Sequence, residues 1–420
     1  MKYTPALTPT GMLRVTTEID ERRIDAKDLR IGMFVCRLDR SWEGTPFPLQ
    51  GVELRSPEDI QTIRELCQFV YIDARREAVE GTHKVLTREK LAPSRFRTGI
   101  AYVDRASVEE ELPRAQTALK NAAEMVDRIY ADIASGRELS AEDVERAVRP
   151  LVTSVLRSAD AFLYVESLRR HDSYSYSHAI SCSALAAAFG RHLGFAHETI
   201  ISLAAGGLLM DVGKTQLPES LLRYKGSLSA SEVELVRSHV DHGLKILANS
   251  TITDADVITI VRTHHERHDG SGYPAGKKGA AIPIAGRMLG IIDAYDAMAS
   301  GRPYRPPISR HQALQHIYAA RDTLFQAEMI EQFVVCLGVY PTGSLVELTS
   351  GEVAVVMAQN QVRRLRPKVL LLSTPNKQPL TDFHVLDLMS QGDDVTDPIE
   401  IARSLALGEY GIDVAEHFLR

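Results

Sequence analysis

Between residues 21 and 75 the hydrophobic positions follow first a strand pattern, then a helix pattern, then a strand pattern again. Residues 31–38 and 69–72 are short apolar runs of the kind that form strands. Between them Ser56 precedes Pro57, which is typical of a helix start with Ser56 as the N-cap. The order predicts a small α/β domain. It contains no candidate catalytic residue, so a regulatory role and plain stabilisation both remain open.

A helical period begins near residue 107 and continues to about residue 335. Its first stretch has apolar residues at alternating spacings of three and four, and Pro113 suits the first helical position. This seam comprises Leu112, Ala115, Leu119, Ala122, Val126, Ile129 and Ile133. A seam of about three heptads fits a parallel dimerisation helix or packing against the next helix of the same chain. Gly136 and Ser140 then predict a helix end and a new N-cap.

Past residue 340 the pattern is that of strands. Ser344–Leu348 and Val353–Met357 are apolar runs around a Ser-Gly turn, and Val369–Leu372 is a candidate third strand. We therefore predict a mainly α protein with a helical bundle core, a small N-terminal α/β domain and a short β-rich C-terminal appendage. The predicted segments are a flexible lead 1–20, the α/β domain 21–75, a linker 76–106, connecting helices 107–150, the helical domain 151–340 and the appendage 341–420.

The composition narrows the class of protein. The 420 residues are 44% hydrophobic and 25% charged, which is ordinary for a soluble globular chain. A net charge of −6 argues against binding to a nucleic-acid duplex, which requires a basic face. The 4 cysteines show no Cys-x-x-Cys spacing, which indicates a reduced compartment. No apolar run reaches the roughly 18–20 residues of a membrane helix, and no signal peptide is evident, so we expect a cytoplasmic protein.

Histidines and aspartates are placed at positions of the helical region that favour a metal site. Tandem histidines open the run His264–Pro274, in which Gly270 and Gly272 allow a close backbone approach. Imidazoles and carboxylates together suit a divalent transition metal. Asp293 lies in an otherwise apolar stretch, and a buried carboxylate needs a cation or strong hydrogen bonds. A helical bundle can direct six such residues into one cleft: His178, Asp211, His239, His264, His265 and Asp293.

The ordered series of motifs resembles the HD-GYP family of bacterial phosphodiesterases, which hydrolyse cyclic di-GMP. The matching segments are residues 172–178, 211–214, 239, 264–274, 293–298 and 300–305. They cover roughly residues 150–340, and the resemblance implies an HD-type all-helical core there. Residues 21–75 resemble the small domain of unknown function that often precedes HD-GYP modules in bacteria.

The resemblance also implies a role for each matching residue. In the family these positions hold two or three divalent metals, and for this chain the resemblance implies two, with Fe or Mn expected. One metal would take His178, Asp211 and Asp293, and the other Asp211, His239, His264 and His265, with Asp211 bridging. Asp211 and Lys214 would be catalytic. The substrate would be bound by Lys214, Tyr273, Arg302 and Arg305. Tyr174 stands where some relatives have a carboxylate ligand, so no third metal is expected.

The chain departs from the family at Met210, where the name-giving histidine is expected. A thioether is a poor ligand for Fe or Mn, and Met210 follows Leu208 and Leu209 on an apolar helix face. We therefore expect one of two metal sites to be weakened.

Three functions remain open. The first is hydrolysis of cyclic di-GMP to pGpG, to GMP or to both, by a metal-activated hydroxide. The second is a degenerate domain that binds cyclic di-GMP or a protein partner as a signalling receptor. The third is another HD-type phosphohydrolase. The Gly-Tyr-Pro loop and the N-terminal domain are the candidate contacts for a signalling protein, and the seam leaves a homodimer open.

Overall fold

The structure is a computed structural model. It describes residues 21–31, 33–39, 52–54, 56–73, 100–168, 174–301, 307–360, 365–380, 382, 384–390 and 398–412. The chain divides into two compact units, residues 1–92 and 93–420, and each is described by itself. Among the described residues no helix is both long and apolar enough to cross a membrane.

The N-terminal unit is a four-stranded antiparallel sheet with one helix. Its strands are β1 (Glu21–Asp25), β2 (Phe34–Leu38), β3 (Val52–Glu53) and β4 (Phe69–Asp73), in the order β1-β4-β2-β3. Helix α1 (Pro57–Leu66) begins as predicted, because Ser56 and Asp59 cap each other's backbone N–H groups. Ile63, Val70 and Ile72 are fully buried and form its core. Residues 76–99 of the predicted linker 76–106 lie outside the described residues, as does the lead 1–20, whereas residues 100–106 form neither helix nor strand.

The second unit starts with three helices, α2 (Val108–Ala134), α3 (Ala141–Arg157) and α4 (Ala159–Ser167). The prediction that Pro113 opens the first of them is wrong, because Ser107 and Glu110 form a capping box that starts the helix at Val108. Pro113 therefore lies inside α2. Gly136, with a positive φ of 80°, and the N-cap Ser140 occupy the predicted break between α2 and α3.

The apolar seam of α2 is covered by helices of the same chain. Ala115 and Val126 are fully buried in the main hydrophobic core, and Ala122 is fully buried as well. Helix α2 contacts α3 and α4 along its length. Of the two alternatives for the seam, intrachain packing is the one the structure contains. A homodimer stays a prediction, and this seam is not the surface for it.

Nine further helices among the described residues complete the bundle. They are α5 (Tyr174–His192), α6 (His197–Leu209), α7 (Glu219–Leu222), α8 (Ala230–Arg237), α9 (His239–Ala248), α10 (Ala255–Thr263), α11 (Ile284–Ala299), α12 (Arg310–Ala319) and α13 (Ala327–Leu337). A 3₁₀ turn, Val212–Gln216, follows α6. Helix α11 packs against α5, α10 and α12. The prediction of a mainly α fold with an all-helical core is confirmed.

The C-terminal region forms a five-stranded antiparallel sheet. Its strands are β5 (Leu345–Leu348), β6 (Val353–Ala358), β7 (Lys368–Leu371), β8 (Val385–Asp387) and β9 (Ile401–Ser404), in the order β8-β7-β6-β5-β9. The predicted β-rich character is confirmed, although the sequence suggested only three strands. Strand β6 is buried along its whole length and shares a core with Ala161 and Tyr164 of α4. The sheet is therefore packed onto the helical bundle.

Candidate metal centre

The six candidate ligands come from five places where helices begin, end or cross. His178 is in α5, Asp211 directly precedes the 3₁₀ turn, and His239 is the first residue of α9. His264 is the C-cap of α10 and His265 follows it, whereas Asp293 lies inside α11. All six side chains converge on one centre.

Two glycines allow the elements to approach closely enough. A Cβ on Gly213 would lie 1.9 Å from the backbone oxygen of His239, so only glycine lets the turn after Asp211 touch the start of α9. A Cβ on Gly290 would lie 2.8 Å from the backbone oxygen of His264, which brings α11 onto the end of α10. The spacing of the ligands therefore depends on backbone contacts that any larger residue would prevent.

Asp211 lies between the two sets of imidazoles. Its Oδ1 is 3.3 Å from His239 Nε2 and 3.8 Å from His264 Nε2, and its Oδ2 is 3.7 Å from His178 Nε2. Asp293 lies 3.2 Å from His178 Nε2 through Oδ1 and 3.6 Å from His265 Nδ1 through Oδ2. Two groups of donor atoms within 4.8 Å of one another result, and they share Asp211: Asp211 with His239, His264 and His265, and Asp211 with His178 and Asp293.

Hydrogen bonds on the outer side of three imidazoles fix which nitrogen faces inward. His239 Nδ1 lies 2.7 Å from the Val236 carbonyl, and His264 Nδ1 lies 3.1 Å from the Val261 carbonyl. His178 Nδ1 lies 2.7 Å from Asp296 Oδ2. Because carbonyl oxygens accept hydrogen bonds, Nδ1 of His239 and of His264 carries the proton, and the Nε2 of each presents a lone pair to the centre.

This arrangement fits a cation. The Nε2 atoms of His239 and His264 are 3.4 Å apart, and two lone pairs at that distance gain nothing from each other. Asp211 Oδ1 is buried and makes no hydrogen bond to any described residue. A buried carboxylate oxygen without a donor is costly. A divalent metal bound by nitrogen and oxygen atoms satisfies all three atoms at once.

The charges of the centre favour the same conclusion. Burial raises the pKa of Asp211, but Lys214 and the neighbouring imidazoles outweigh it and hold that pKa well below its usual value. Burial lowers the pKa of His239 to about 4, and burial also holds the pKa of His265 well below its usual value. At neutral pH Asp211 is therefore ionised while His239 and His265 are neutral, and these are the forms that bind a metal.

His178 behaves differently from the other histidines. Burial lowers its pKa, but the hydrogen bonds from its ring to Asp293 and Asp296 raise it, and the net pKa lies well above the usual value. Burial raises the pKa of Asp293 too, but its hydrogen bond with His178 and its attraction to His265 bring it far below the usual value. The pocket between these groups therefore favours a positive charge.

Met210 is fully buried in the main core together with Leu208 and Leu209. The donor group around His178 contains three residues, whereas the group around His239 contains four. The two donor groups therefore differ in the number of residues they contain, and Met210, which replaces the family histidine, lies next to them in sequence. Weaker binding at the three-residue group remains a prediction.

Sequence reasoning missed Cys182, which lies one turn after His178 on α5. Its Sγ is 3.7 Å from both ring nitrogens of His178, and with Asp296 these residues form a third group of possible donors. Burial raises the pKa of Cys182 to about 12, so the thiol stays protonated at neutral pH and packs beneath the imidazole. The expectation of no third metal rested on Tyr174, whose side chain lies outside the described residues.

The Gly-Tyr-Pro loop covers one side of the centre. The ring of Tyr273 stacks on His265 with centroids 4.6 Å apart and an interplanar angle of 26°. Glu266, which sequence reasoning also missed, is buried and accepts the backbone N–H groups of Ala275 and Lys277 at 2.9 and 2.8 Å. Its carboxylate therefore fastens the loop that carries Tyr273. In the sequence, the one indication of a role for Glu266 is its position directly after the tandem histidines.

Of the three positively charged residues predicted to bind the substrate, the structure describes Lys214. Lys214 pairs with Asp211, and its side chain remains 22% exposed at the edge of the donor groups. This position leaves the ammonium able to reach a ligand as well as the carboxylate. Arg302 and Arg305 lie outside the described residues, so their roles remain predictions.

Comparison with known proteins identifies the family of this chain. Residues 163–329 match the family model described as HD domain, and residues 21–144 match the one described as domain of unknown function DUF3391. A cyclic di-GMP phosphodiesterase of Pseudomonas aeruginosa is 32% identical over 374 residues, which cover 88% of this chain and 90% of the relative. The fold and the donor groups define an HD-domain protein. The chain belongs to the HD-GYP family, as its motifs predicted.

Other relatives match a smaller part of the chain. A cyclic di-GMP phosphodiesterase of Thermotoga maritima is 33% identical over 39% of this chain and 45% of the relative. A 3'3'-cGAMP-specific phosphodiesterase of Vibrio cholerae is 36% identical over 36% of this chain and 29% of the relative. A solved HDG"Y"P protein from Bdellovibrio bacteriovorus aligns with a TM-score of 0.44 and 18% identity, over 75% of this chain and 98% of that one.

Proposed function

We propose that this protein is a metal-dependent phosphodiesterase that hydrolyses cyclic di-GMP to pGpG, GMP or both in bacterial second-messenger signalling. The observation that carries the proposal is the pair of donor groups that share Asp211, with imidazole Nε2 atoms directed inward. The relative that covers nearly the whole chain is named a cyclic di-GMP phosphodiesterase, which supports the substrate.

In this proposal the centre holds two divalent metal ions, Fe or Mn, and the ion at His178, Asp211 and Asp293 is the more weakly bound. Imidazole and carboxylate donors suit both metals. When bound, such ions polarise phosphoryl oxygens and lower the pKa of water to near neutrality. Asp211 is the residue common to both ions, and its depressed pKa keeps it ionised for that role.

The remaining residues bind and orient the substrate. Lys214 brings a positive charge to the phosphate beside Asp211, and Tyr273 forms a wall of the pocket next to His265. Arg302 and Arg305 supply further positive charge to the substrate. The N-terminal unit and the Gly-Tyr-Pro loop are the proposed contacts for a signalling partner, a homodimer remains open, and the proposed location is the cytoplasm.

The test is to purify the protein without oxygen, count its metals and assay hydrolysis of cyclic di-GMP in the same sample. We expect about two metal ions per chain. His265→Ala should lower turnover more than ~100-fold, because even partners of metal ligands are worth 10–100-fold. His197→Ala serves as the matched control, since His197 is half exposed and pairs with Glu198 away from the donor groups.

Three outcomes would contradict the proposal. Measurable binding of cyclic di-GMP without turnover would make the protein a receptor. Turnover of another nucleotide, but not of cyclic di-GMP, would make it a different phosphohydrolase. Equal turnover in wild type and His265→Ala would separate the activity from this centre.

A further inference from the structure

An arginine that the family motifs do not include lies against the loop of the metal centre. The guanidinium carbon of Arg237 is 5.0 Å from the ring centroid of Tyr273. The same ring stacks on the candidate ligand His265 at 4.6 Å. Arg237 is therefore one aromatic ring away from the donor groups, a distance at which it can touch a substrate bound there.

The backbone fixes the position of Arg237. It is the last residue of α8, and His239, two residues further on, is fully buried at the start of α9. The carbonyl of Val236, the residue before it, lies 2.7 Å from His239 Nδ1. These contacts fix the backbone on either side of Arg237. The packing around the metal centre therefore sets the position of the Arg237 backbone.

The guanidinium is also accessible. The side chain of Arg237 is 45% exposed, whereas those of Asp211 and His265 are 11% exposed. Its Nη1 donates to Glu234 Oε1 at 2.9 Å. An exposed ion pair of this kind contributes little to stability. Because a guanidinium has five N–H donors, that of Arg237 can donate hydrogen bonds to a ligand.

A planar base is the ligand that fits this place best. Arginine donates two parallel hydrogen bonds to O6 and N7 of guanine, while the amino group of adenine at the corresponding position is a donor and repels the fork. A phosphate held at the donor groups already meets Lys214 beside Asp211. The guanidinium of Arg237 lies instead over the ring of Tyr273, and aromatic rings of this kind commonly line the pockets of nucleobases.

We propose that Arg237 is a specificity residue that recognises the Hoogsteen edge of a guanine in the substrate. This inference rests on the proposed hydrolysis of a cyclic guanine dinucleotide and adds the residue that distinguishes guanine from adenine. Glu234 holds the guanidinium over Tyr273 until the base arrives. The scissile phosphate does not contact Arg237.

The experiment compares wild type, Arg237→Gln and Arg237→Lys on cyclic di-GMP, 3'3'-cGAMP and cyclic di-AMP. Arg237→Gln should lower kcat/KM for cyclic di-GMP by ~10-fold to 100-fold, mostly through KM, and leave cyclic di-AMP unchanged. Arg237→Lys keeps the charge but loses the fork, so it should fall nearly as far as Arg237→Gln. Arg146→Gln is the matched control, an exposed arginine of α3 paired with Glu142.

Each alternative result has a defined meaning. Equal losses on all three nucleotides would show a contact with phosphate, and no loss on cyclic di-GMP would remove Arg237 from the pocket; either overturns the inference. If wild type hydrolyses none of them, the proposed function fails, and binding of cyclic di-GMP to wild type and Arg237→Gln then tests the inference by itself. Equal binding, or none to wild type, would overturn it. Metal content and melting temperature should match wild type in every variant.

Discussion

At the scale of single residues, Met210 is where the metal centre departs from its family. Its side chain is fully buried beside Asp211, in a core of aliphatic residues. Met210→His should raise metal occupancy and turnover, because an imidazole adds a nitrogen donor next to the three-residue group. We expect a gain of at least about tenfold in metal affinity, since even partners of ligands are worth 10–100-fold. Metal analysis and initial rates measure it.

Met210→Leu is the control for that substitution. Leucine has nearly the volume of methionine and no donor, so packing is kept while metal binding should not improve. If His and Leu variants contain equal amounts of metal, the explanation of a weakened site is wrong.

The buried histidines also make the stability of the metal-free protein depend on pH. The folded pKa of His239 is about 4, below the value of about 6.5 in an unfolded chain. Between these values the unfolded chain binds the proton and the folded chain does not, so the free energy of unfolding falls as pH falls. The pKa of His178 is shifted upward, so His178 stabilises the folded state more at pH 5 than at pH 7 and partly offsets the slope set by His239 and His265.

Urea unfolding in the presence of a chelator at pH 7 and pH 5 checks this expectation. The free energy of unfolding should be lower at pH 5, by up to about 1.4 kcal/mol per unit of pKa shift. His239→Gln should reduce the slope without abolishing it, because the pKa of His265 is shifted in the same direction. Equal or greater stability of wild type at pH 5 would contradict the assignment of neutral buried imidazoles.

The residue scale also marks what the sequence was able to predict about the site. The six candidate ligands were recognisable because imidazole and carboxylate side chains are rare at apolar helix positions. The acceptors that orient two of them were not, since they are backbone carbonyls of Val236 and Val261, and any residue type supplies those. Arg237 was missed for a related reason. Its role depends on the approach of two distant segments.

At the scale of elements, a buried ion pair connects α4 and α12 behind the centre. Glu166 and Arg310 are 3.6 Å apart, with side chains 5% and 16% exposed. Ser181, one turn after His178 on α5, also donates to Glu166. Glu166→Gln should destabilise the protein by up to about 3–5 kcal/mol, because the buried arginine loses one of the two carboxylates that attract it, Glu166 and Asp296.

A double-mutant cycle separates the pair from its surroundings. Glu166→Gln with Arg310→Met should cost clearly less than the sum of the single variants, as measured by urea unfolding. Glu145→Gln is the control, since Glu145 forms an exposed pair with Arg149 on α3 that is worth about 0.3–0.5 kcal/mol. If Glu166→Gln costs no more than Glu145→Gln, the buried pair does not hold these helices.

The signals at the ends of helices and strands explain which elements could be predicted from the sequence. Helix starts at Ser56 and Ser140 were recognised because a cap is a local pattern of a few residues. Pro113 misled because an equally local signal, the Ser107 capping box, begins α2 earlier. Strands β8 and β9 are only three and four residues long, none of their side chains is fully buried, and they exist through backbone pairing with β7 and β5. Such pairing leaves no apolar alternation to recognise.

At the scale of the whole molecule, the N-terminal unit contains none of the candidate ligands, whereas the C-terminal sheet shares a core with a helix of the unit that contains them. Every candidate ligand lies in the unit 93–420, and the N-terminal unit has a core of its own. The C-terminal sheet has no such independence from the helices. Val353, Val355 and Met357 of β6 share a core with Tyr164 of α4. Asp160 of α4, whose pKa burial raises to about 6, accepts hydrogen bonds from Thr342 and Gln359 at 2.6 and 2.9 Å.

Two truncations should therefore have opposite results. Residues 93–420 should fold and keep the metal content of the full chain, because no ligand is lost. Residues 1–340 should melt far lower or aggregate, because four large apolar side chains of this shared core are lost or exposed at about 1.5–3 kcal/mol each, against a typical stability of 5–15 kcal/mol. Circular dichroism melting and metal analysis measure both. Asp160→Asn should cost much less than the second truncation, and a chain 1–340 that melts like wild type would refute the shared core.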